Sequence, residues 1–381
     1  MKICFVSLSR KRKRYFTLLA DSAPKECEAS VIPGIRLDFT LLKSLFHFPK
    51  RLGFEEIHAR RQVINYPALH KFKPLSALLR AIDAYVETVR YYYFKSLFMQ
   101  QQCDALGIWN GQKPPYSTIA KAAMDCAMQI TYFENGGLPD TTTADNKGVN
   151  AWNSLPRNID FYLQYASDNS KSPVSEEPKA IENASQSYIF VPLQVESDTQ
   201  VVLQTTWVKS NIALLEAVAE AFRPYIEKGW KVLVKEHPKA RTSSKDFQHN
   251  GFEFVGSGDV ATYIKDASAV VTINSTVGLE ALQMNKNVVV VGNALYGIEG
   301  LSFVATNPLT LKSAIDSAVT LPFDTAAKEA FFRFLDEVYY IPGDWRRFDE
   351  LEEIHFRALW MRILKQDMMA KLANDKAEGS V

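Results

Sequence analysis

The sequence predicts an α/β protein with parallel sheets, on two observations from its second half. Three short runs rich in β-branched residues occur at Lys231–Lys235, Ala269–Ile273 and Asn287–Val291. None alternates apolar with polar residues, which is typical of strands buried on both faces of a parallel sheet. The segments between them are helical in pattern, with candidate helix starts at Asp259 and Ser275. Strands that alternate with helices in this way predict a doubly wound sheet.

Two of these strands end in side chains suited to binding a phosphate. The sequence KEHP at 235–238 ends the first strand, and NSTVGLE at 274–280 follows the second. Open α/β sheets bind ligands at this carboxyl edge, and a helix that starts at Ser275 or Thr276 offers backbone N–H groups to an anion. Taken alone, each element is equally explained by a turn or a helix cap. Together, on successive strands, they favour a nucleotide-phosphate site.

A family resemblance rests on the same stretch. The series KEHP at 235–238, INSTVGLEAL at 273–282 and NALYGIEGL at 293–301 resembles the capsule-polysaccharide synthesis family, whose known members are β-Kdo transferases that use CMP-Kdo. The likeness extends from about Trp109 to Trp345, and the motifs are also similar to those of bacterial GT-B sialyltransferases. It implies a GT-B fold, in which two Rossmann-like domains face a cleft and C-terminal helices cross back to the first domain.

The resemblance and the strand-end positions together indicate the nucleotide-binding residues. These are Gln194, Lys235, His237, Asn274, Ser275, Thr276, Gly278 and Glu280. Arg157, Lys239 and Arg241 are unranked candidates for binding the Kdo carboxylate.

The resemblance also implies transfer with retention of the β configuration, which by double displacement needs a nucleophilic carboxylate and an acid/base group. Asp198 lies in a Gln-Val-x-x-Asp motif like that of the family, and we assign it as the nucleophile. Glu134 ends a predicted strand in an ENG-like motif and is assigned as the acid/base, while His237 completes the catalytic set. The alternatives are a helix or turn cap for Asp198 and a turn acid for Glu134.

Length and composition set the domain plan and exclude one class of partner. A chain of 381 residues can form two separate cores. The polar segment 168–187 is the best domain boundary, which predicts an acceptor-side domain at 1–175, a CMP-sugar-binding domain at 176–330 and crossing helices at 331–381. A net charge of +1 argues against a nucleic-acid partner.

Cysteine usage and hydropathy predict a cytoplasmic protein. The four cysteines are far apart and form no CxxC pair, which favours reduced thiols: Cys4, Cys27, Cys103 and Cys126. No apolar run is long enough to span a bilayer, and the start lacks a signal-peptide pattern. Peripheral contact with the inner membrane of a Gram-negative bacterium stays open, because basic residues crowd 9–14 and aromatic and basic residues mix at 41–54 and 75–102. A solvated loop and ordinary core helices are the alternatives.

Absent motifs narrow the chemistry. The chain has no Walker A loop, no GxGxxG and no Asp-x-Asp. A CMP-sugar has one phosphate, so Lys235, His237 and a helix start could neutralise it without a metal, and no cofactor is expected. The resemblance, with which these absences agree, implies a retaining transferase that moves Kdo from CMP-Kdo to a glycan or glycolipid. The alternatives are a sialyltransferase-like enzyme, a UDP-sugar transferase or epimerase, and a non-catalytic scaffold of polysaccharide assembly.

Overall fold

The computed structural model describes residues 1–169, 187–205, 207–240 and 243–372. The chain divides into two compact units. Unit 1 comprises Met1–Ser154 and the chain from Asp336 onward, and unit 2 comprises Leu155–Leu335. Each unit has its own six-stranded sheet.

The strands of the described residues are β1 (Lys2–Val6), β2 (Glu28–Ile32), β3 (Ala105–Trp109), β4 (Gln129–Asn135), β5 (Thr141–Asp145), β6 (Tyr188–Pro192), β7 (Lys231–Lys235), β8 (Phe252–Phe254), β9 (Ala269–Thr272), β10 (Asn287–Val290), β11 (Phe303–Val304) and β12 (Ile341–Pro342). Their α-helices are α1 (Arg10–Asp21), α2 (Phe39–Ser44), α3 (Glu55–Asn65), α4 (Pro67–Lys71), α5 (Lys73–Gln101), α6 (Tyr116–Met124), α7 (Ile159–Asp168), α8 (Thr199–Gln204), α9 (Asn211–Ile226), α10 (Val260–Lys265), α11 (Thr276–Gln283), α12 (Pro308–Thr320), α13 (Thr325–Phe334) and α14 (Glu353–Ile363). Within the described ranges, no helix combines the length and the apolar character needed to cross a bilayer.

The sheet of unit 2 has the strand order β11-β10-β9-β6-β7-β8, with all neighbours parallel. The chain starts at the central strand β6, proceeds outward through β7 and β8, and then crosses to the other side for β9 to β11. This is the Rossmann order, and its topological switch point lies between β6 and β9. Both faces are covered, so side chains such as Val191, Val271 and Val289 are buried.

The sheet of unit 1 has the order β12-β5-β4-β3-β1-β2. Strands β1 to β4 are parallel, whereas β5 and β12 are antiparallel to their neighbours. The order reverses between β1 and β3, which makes their carboxyl ends the switch point of this unit. Aromatic side chains fill the core, with the rings of Phe5 and Phe16 stacked 5.2 Å apart.

The predicted α/β class, the two parallel-dominated sheets and the returning C-terminal segment are confirmed. Strand β12 pairs with β5, and Trp360 of α14 packs edge-on against Phe5 of β1 at 6.1 Å. Within the segment predicted as crossing helices, a 3-10 helix at Trp345–Glu350 precedes α14.

The two divisions between the units differ from the predicted boundaries, the first falling earlier in the chain and the second later. They lie before Leu155 and after Leu335, whereas the predicted boundaries were 175/176 and 330/331. The reason is the packing of α7 on α13, where Tyr162 meets Phe331 and Phe161 meets Phe334 at 5.1 and 5.2 Å. Most of the polar segment 168–187 lies outside the described residues.

In unit 1, the alternative of a solvated loop for the basic residues and the expectation for the cysteines are both wrong. The basic residues 10–14 form the start of α1 rather than a loop, because Tyr15, Phe16 and Leu19 bury one face of this helix. The expectation of four reduced thiols fails for Cys4 and Cys103, which form a disulfide with their Cα atoms 6.2 Å apart. Strand β1 pairs with β3, and this pairing brings Cys4 close to Cys103, which precedes β3.

Candidate active site

The switch point of unit 2 is spanned by two amide side chains. Gln194 follows β6 and Asn274 follows β9. The Nε2 of Gln194 donates to Oδ1 of Asn274 at 2.9 Å, and the backbone N–H of Asn274 donates to Oε1 of Gln194 at 3.1 Å. The Nδ2 of Asn274 also donates to the Gln200 carbonyl at 3.0 Å. Two predicted ligand residues therefore bridge neighbouring strand ends and fix the start of α8.

A third amide side chain, which the sequence analysis did not single out, supports this bridge. Asn211 is buried at the first position of α9 and donates through Nδ2 to the Gln194 carbonyl at 2.9 Å. Its backbone N–H donates to Oε1 of Glu196 at 2.7 Å. The signal available in the sequence was an asparagine directly after the helix cap Ser210.

The start of α11 has the cap that the sequence predicted. Ser275 is the N-cap, and its Oγ accepts from the Val277 N–H at 3.2 Å. Thr276 is exposed beside it. The hydroxyl of Tyr296 donates to the Ser275 carbonyl, so a buried tyrosine supports the loop between β9 and α11.

Gly278 and Glu280 lie within α11 and have different surroundings. Gly278 is buried, and a Cβ there would lie 2.2 Å from the Tyr296 hydroxyl oxygen. Only glycine lets the tyrosine approach this closely, which gives Gly278 a packing role. Glu280 is exposed, and partial desolvation together with the nearby Asp259 carboxylate raises its pKa.

Strand β7, the other neighbour of β6, ends at Lys235, and His237 follows two residues later. The Nδ1 of His237 accepts from the Lys239 N–H at 3.0 Å, so in the neutral ring the proton is on Nε2. Lys235 donates from Nζ to the Gly256 carbonyl at 2.6 Å and lies 5.5 Å from the ring centroid of Tyr263. Its ammonium is thus directed toward the loop after β8, whereas the half-exposed His237 offers an N–H donor at the carboxyl edge.

Asp198 occupies the capping position that was its alternative role. It is the N-cap of α8, and Oδ1 accepts from the Gln200 N–H at 2.9 Å. The side chain is exposed, so capping does not bury the carboxylate. Its assignment as nucleophile stays a prediction.

Glu134 lies near the carboxyl end of β4, in unit 1, and is half-buried. Its Oε2 accepts from Nδ2 of Asn110 at 2.7 Å, and its Oε1 accepts from the Asn135 N–H at 3.0 Å. Asn110 follows β3 in a left-handed conformation with φ of 61°, and Gly111 continues the turn with φ of 73°. The Tyr132 ring lies 2.5 Å from where a Cβ of Gly111 would be, so this turn needs glycine. Sequence reasoning missed Asn110 as the residue that orients the acid.

The basic start of α1 lies at the same carboxyl edge of unit 1. The Arg12 guanidinium lies 4.5 Å from the ring centroid of Trp109 and 5.6 Å from that of Trp345. Trp345 donates from Nε1 to Oδ1 of Asn135 at 2.7 Å, which connects the C-terminal segment to the residue after Glu134. A cation and two aromatic rings thus surround the strand end that carries the predicted acid/base.

Of the three candidate residues for binding the sugar carboxylate, two lie within the part of the chain that the structure describes. Arg157 donates from its guanidinium to the Leu295 carbonyl at 2.9 Å. Lys239 is exposed, two residues after His237. Arg241 lies outside the described residues.

Fold and strand ends together define the class: a protein of two Rossmann-type α/β units in which polar side chains occupy the switch point of the second. The family described as "Capsule polysaccharide biosynthesis protein" matches residues 173–314. The protein FixF of Sinorhizobium fredii is 31% identical over 300 residues, covering 75% of this chain and 72% of FixF. The chain belongs to the capsule polysaccharide biosynthesis family.

Two further proteins are similar to this chain at lower identity. The capsule polysaccharide export protein KpsS of Escherichia coli is 25% identical, covering 58% of this chain and 75% of KpsS. The structure of the β-Kdo 2,7 transferase KpsC of Thermosulfurimonas dismutans is 18% identical, with a TM-score of 0.39 over 64% of this chain and 88% of KpsC.

Proposed function

We propose that this protein is a retaining glycosyltransferase that transfers Kdo from CMP-Kdo to a bacterial surface glycan or glycolipid. The observation that carries the proposal is the cluster of polar strand ends at the Rossmann switch point, within the region that matches the family. Ligands of open α/β sheets bind at this place.

Unit 2 would bind the CMP moiety of the donor. The N–H groups at the start of α11, behind the Ser275 cap, suit a phosphate oxygen. The Nε2–H of His237 supplies a further donor, and a hydrogen bond to an ionised phosphate is stronger than one between neutral groups. Both stabilise the negative charge that CMP acquires when the bond to the sugar breaks. The Gln194–Asn274 bridge would hold the two strand ends in register around the nucleotide.

Two carboxylates would perform the transfer. The Asp198 carboxylate attacks the anomeric carbon, the bond to the CMP phosphate breaks, and a sugar ester forms on Asp198. Glu134 then removes the proton from the acceptor hydroxyl, whose oxygen displaces Asp198 from the anomeric carbon. Two inversions give net retention. Asn110 orients the Glu134 carboxylate for this step.

A thermal-shift panel with CMP, UDP and NAD tests the donor assignment. A ligand that binds only the folded state raises apparent stability, by about 2.7 kcal/mol at a hundred times its Kd. CMP is expected to raise Tm well above UDP and NAD. A larger shift with UDP would favour a UDP-sugar transferase or epimerase, and no shift with any nucleotide would favour the scaffold.

A further inference from the structure

Residues 35–48 of unit 1 expose a dense set of apolar side chains. This segment comprises the short helix α2 and its flanks. The exposed fractions are 98% for Leu37, 68% for Phe39, 81% for Phe46 and 91% for Phe48. Single exposed apolar side chains are ordinary, but a contiguous patch marks an interaction site.

Aromatic side chains of α5 bind the inner side of residues 35–48. The Tyr93 hydroxyl accepts from the Arg36 N–H at 3.0 Å, and the Tyr85 hydroxyl donates to the Leu45 carbonyl at 2.7 Å. The His47 ring stacks on Tyr92 with centroids 3.6 Å apart. The backbone is therefore anchored to α5 while the phenylalanines and leucines are left in solvent.

Helix α5 extends the apolar area. Four exposed side chains of this helix are Leu78, Ile82, Tyr85 and Val86. The last three lie four, seven and eight residues after Leu78, which puts all four on one face of the helix. Tyr85 belongs to this face and also contacts Leu45, so the face adjoins the segment. We call residues 35–48 and this face of α5 the α2–α5 surface.

Charge indicates what the α2–α5 surface binds. Residues 35–90 contain ten Lys or Arg and five Asp or Glu, a net charge of +5, and since the whole chain carries +1 the remainder carries −4. Basic side chains lie among the apolar ones: the Lys43 ammonium is 4.6 Å from the Phe39 ring centroid, and Lys50 and Arg51 follow Phe48 closely. Exposed aromatic and aliphatic side chains with interspersed cations are the composition of segments that lie in the interface of an anionic bilayer.

We propose that the α2–α5 surface docks this protein on an anionic phospholipid bilayer. Phe46 and Phe48 enter the boundary between headgroups and acyl chains, while Arg36, Lys43 and Arg51 meet lipid phosphates. The inference is independent of the proposed donor and of the catalytic carboxylates.

The basic residues 10–14 are a poorer membrane contact than their sequence suggested. Arg12 lies over the Trp109 and Trp345 rings, and Arg14 pairs with Asp349 at 4.0 Å and lies 5.1 Å from the Phe348 ring centroid. These arginines already have partners within unit 1, whereas the apolar side chains of the α2–α5 surface are exposed.

Vesicle flotation of the full chain tests the proposal. The probes are phosphatidylcholine vesicles with and without phosphatidylglycerol. The wild type is expected to float with the anionic vesicles, and the Phe46→Ser/Phe48→Ser variant should bind at least about tenfold more weakly, since burying one phenylalanine is worth about tenfold or more. Leu309→Ser is the matched control, because Leu309 is 82% exposed in unit 2, outside the surface, and its loss should change nothing.

Further measurements guard against a folding artefact and a different occupant. Thermal melts should show the double variant folded like the wild type, and Phe46→Trp should give a blue-shifted emission on anionic vesicles only. The proposal is overturned if the wild type does not bind, or if binding survives in the double variant. It is also overturned if serine at the five basic positions 10–14 abolishes binding while the double variant does not. A vesicle-free dimer that the double variant dissociates would make a second copy of the chain the partner instead.

Discussion

Gln194 and Asn274 join the ends of β6 and β9 through two hydrogen bonds, at 2.9 and 3.1 Å, at the point where the strand order of unit 2 reverses. One Gln194 side chain thereby fixes both the side chain and the backbone of Asn274. Because Ser275 comes next, the bridge also sets where α11 begins. Strand ends, helix start and candidate phosphate site thus depend on one amide pair.

Gln194→Glu is expected to break this bridge with little change in size. The carboxylate keeps an acceptor for the Asn274 N–H but places an oxygen against Oδ1 of Asn274, where an N–H donor stood. An unsatisfied buried polar group costs roughly 1–3 kcal/mol, and because this pair is only partly buried, urea denaturation should show a loss of unfolding free energy toward the lower end of that range. CMP affinity should fall in parallel. Gln129→Glu, an exposed position in unit 1, is the control and should match the wild type.

Local patterns allowed the sheet and the helix starts of unit 2 to be predicted. The runs at 231–235, 269–273 and 287–291 became strands because an unbroken β-branched run suits a strand buried on both faces. Asp259 and Ser275 cap α10 and α11 as expected, since a cap is encoded by the residue itself and its next neighbours.

Contacts between distant residues could not be predicted in this way. Gln194 is 80 residues from Asn274, and Cys4 is 99 residues from Cys103; only the strand order makes either pair adjacent. The helical start of α1 was not predicted, for a different reason. Five cations in six residues suggest a loop, but the apolar face of the following turns stabilises a helix, and aromatic rings accommodate Arg12.

His237→Ala tests the phosphate site. If the Nε2–H of His237 donates to the CMP phosphate, its removal costs roughly 1.5–3 kcal/mol of binding, a ten- to hundredfold loss of CMP affinity. Isothermal titration of the variant with CMP measures this directly, and turnover should fall as well. His249→Ala is the matched control, because His249 is an exposed histidine of the same unit. Unchanged CMP affinity in the His237 variant would place the phosphate elsewhere.

His355 makes the stability of unit 1 sensitive to acid. Its Nδ1–H donates to the Pro342 carbonyl at 2.6 Å, and its Nε2 accepts from the Tyr15 hydroxyl at 2.9 Å, so the buried ring fits as the neutral form. Burial lowers the pKa of His355 in the folded protein. The unfolded chain, with a histidine pKa of about 6.5, therefore binds a proton that the folded state does not.

This linkage gives the sign of the pH dependence. The contribution of neutral His355 to the free energy of unfolding is complete above about pH 6.5. It is lost as the pH falls toward the lower pKa that His355 has in the folded state. Chemical denaturation across this range should show a decline for the wild type that is smaller for His355→Gln. His249→Ala should keep the wild-type slope. Parallel pH profiles for the wild type and His355→Gln would contradict the assignment.

The sharpest prediction concerns the two carboxylates. A retaining transfer at the anomeric carbon needs a group opposite CMP that forms a bond to the sugar, which a carboxylate can do and an amide of equal size cannot. Asp198→Asn should therefore keep CMP affinity and lose nearly all turnover. The amide oxygen still accepts from the Gln200 N–H, so the cap on α8 survives and the protein should remain folded.

Glu134→Gln should behave differently, because it removes the base that activates the acceptor but leaves the nucleophile in place. With CMP-Kdo supplied, the sugar ester on Asp198 should accumulate. Intact-mass spectrometry would then show a gain of one Kdo residue, and peptide mapping would locate it on the peptide that contains Asp198. The Asp198→Asn/Glu134→Gln double variant is the control and should gain no mass. A near-wild-type rate for Asp198→Asn would reject the mechanism, whereas an adduct on another carboxylate would keep double displacement and reassign the nucleophile.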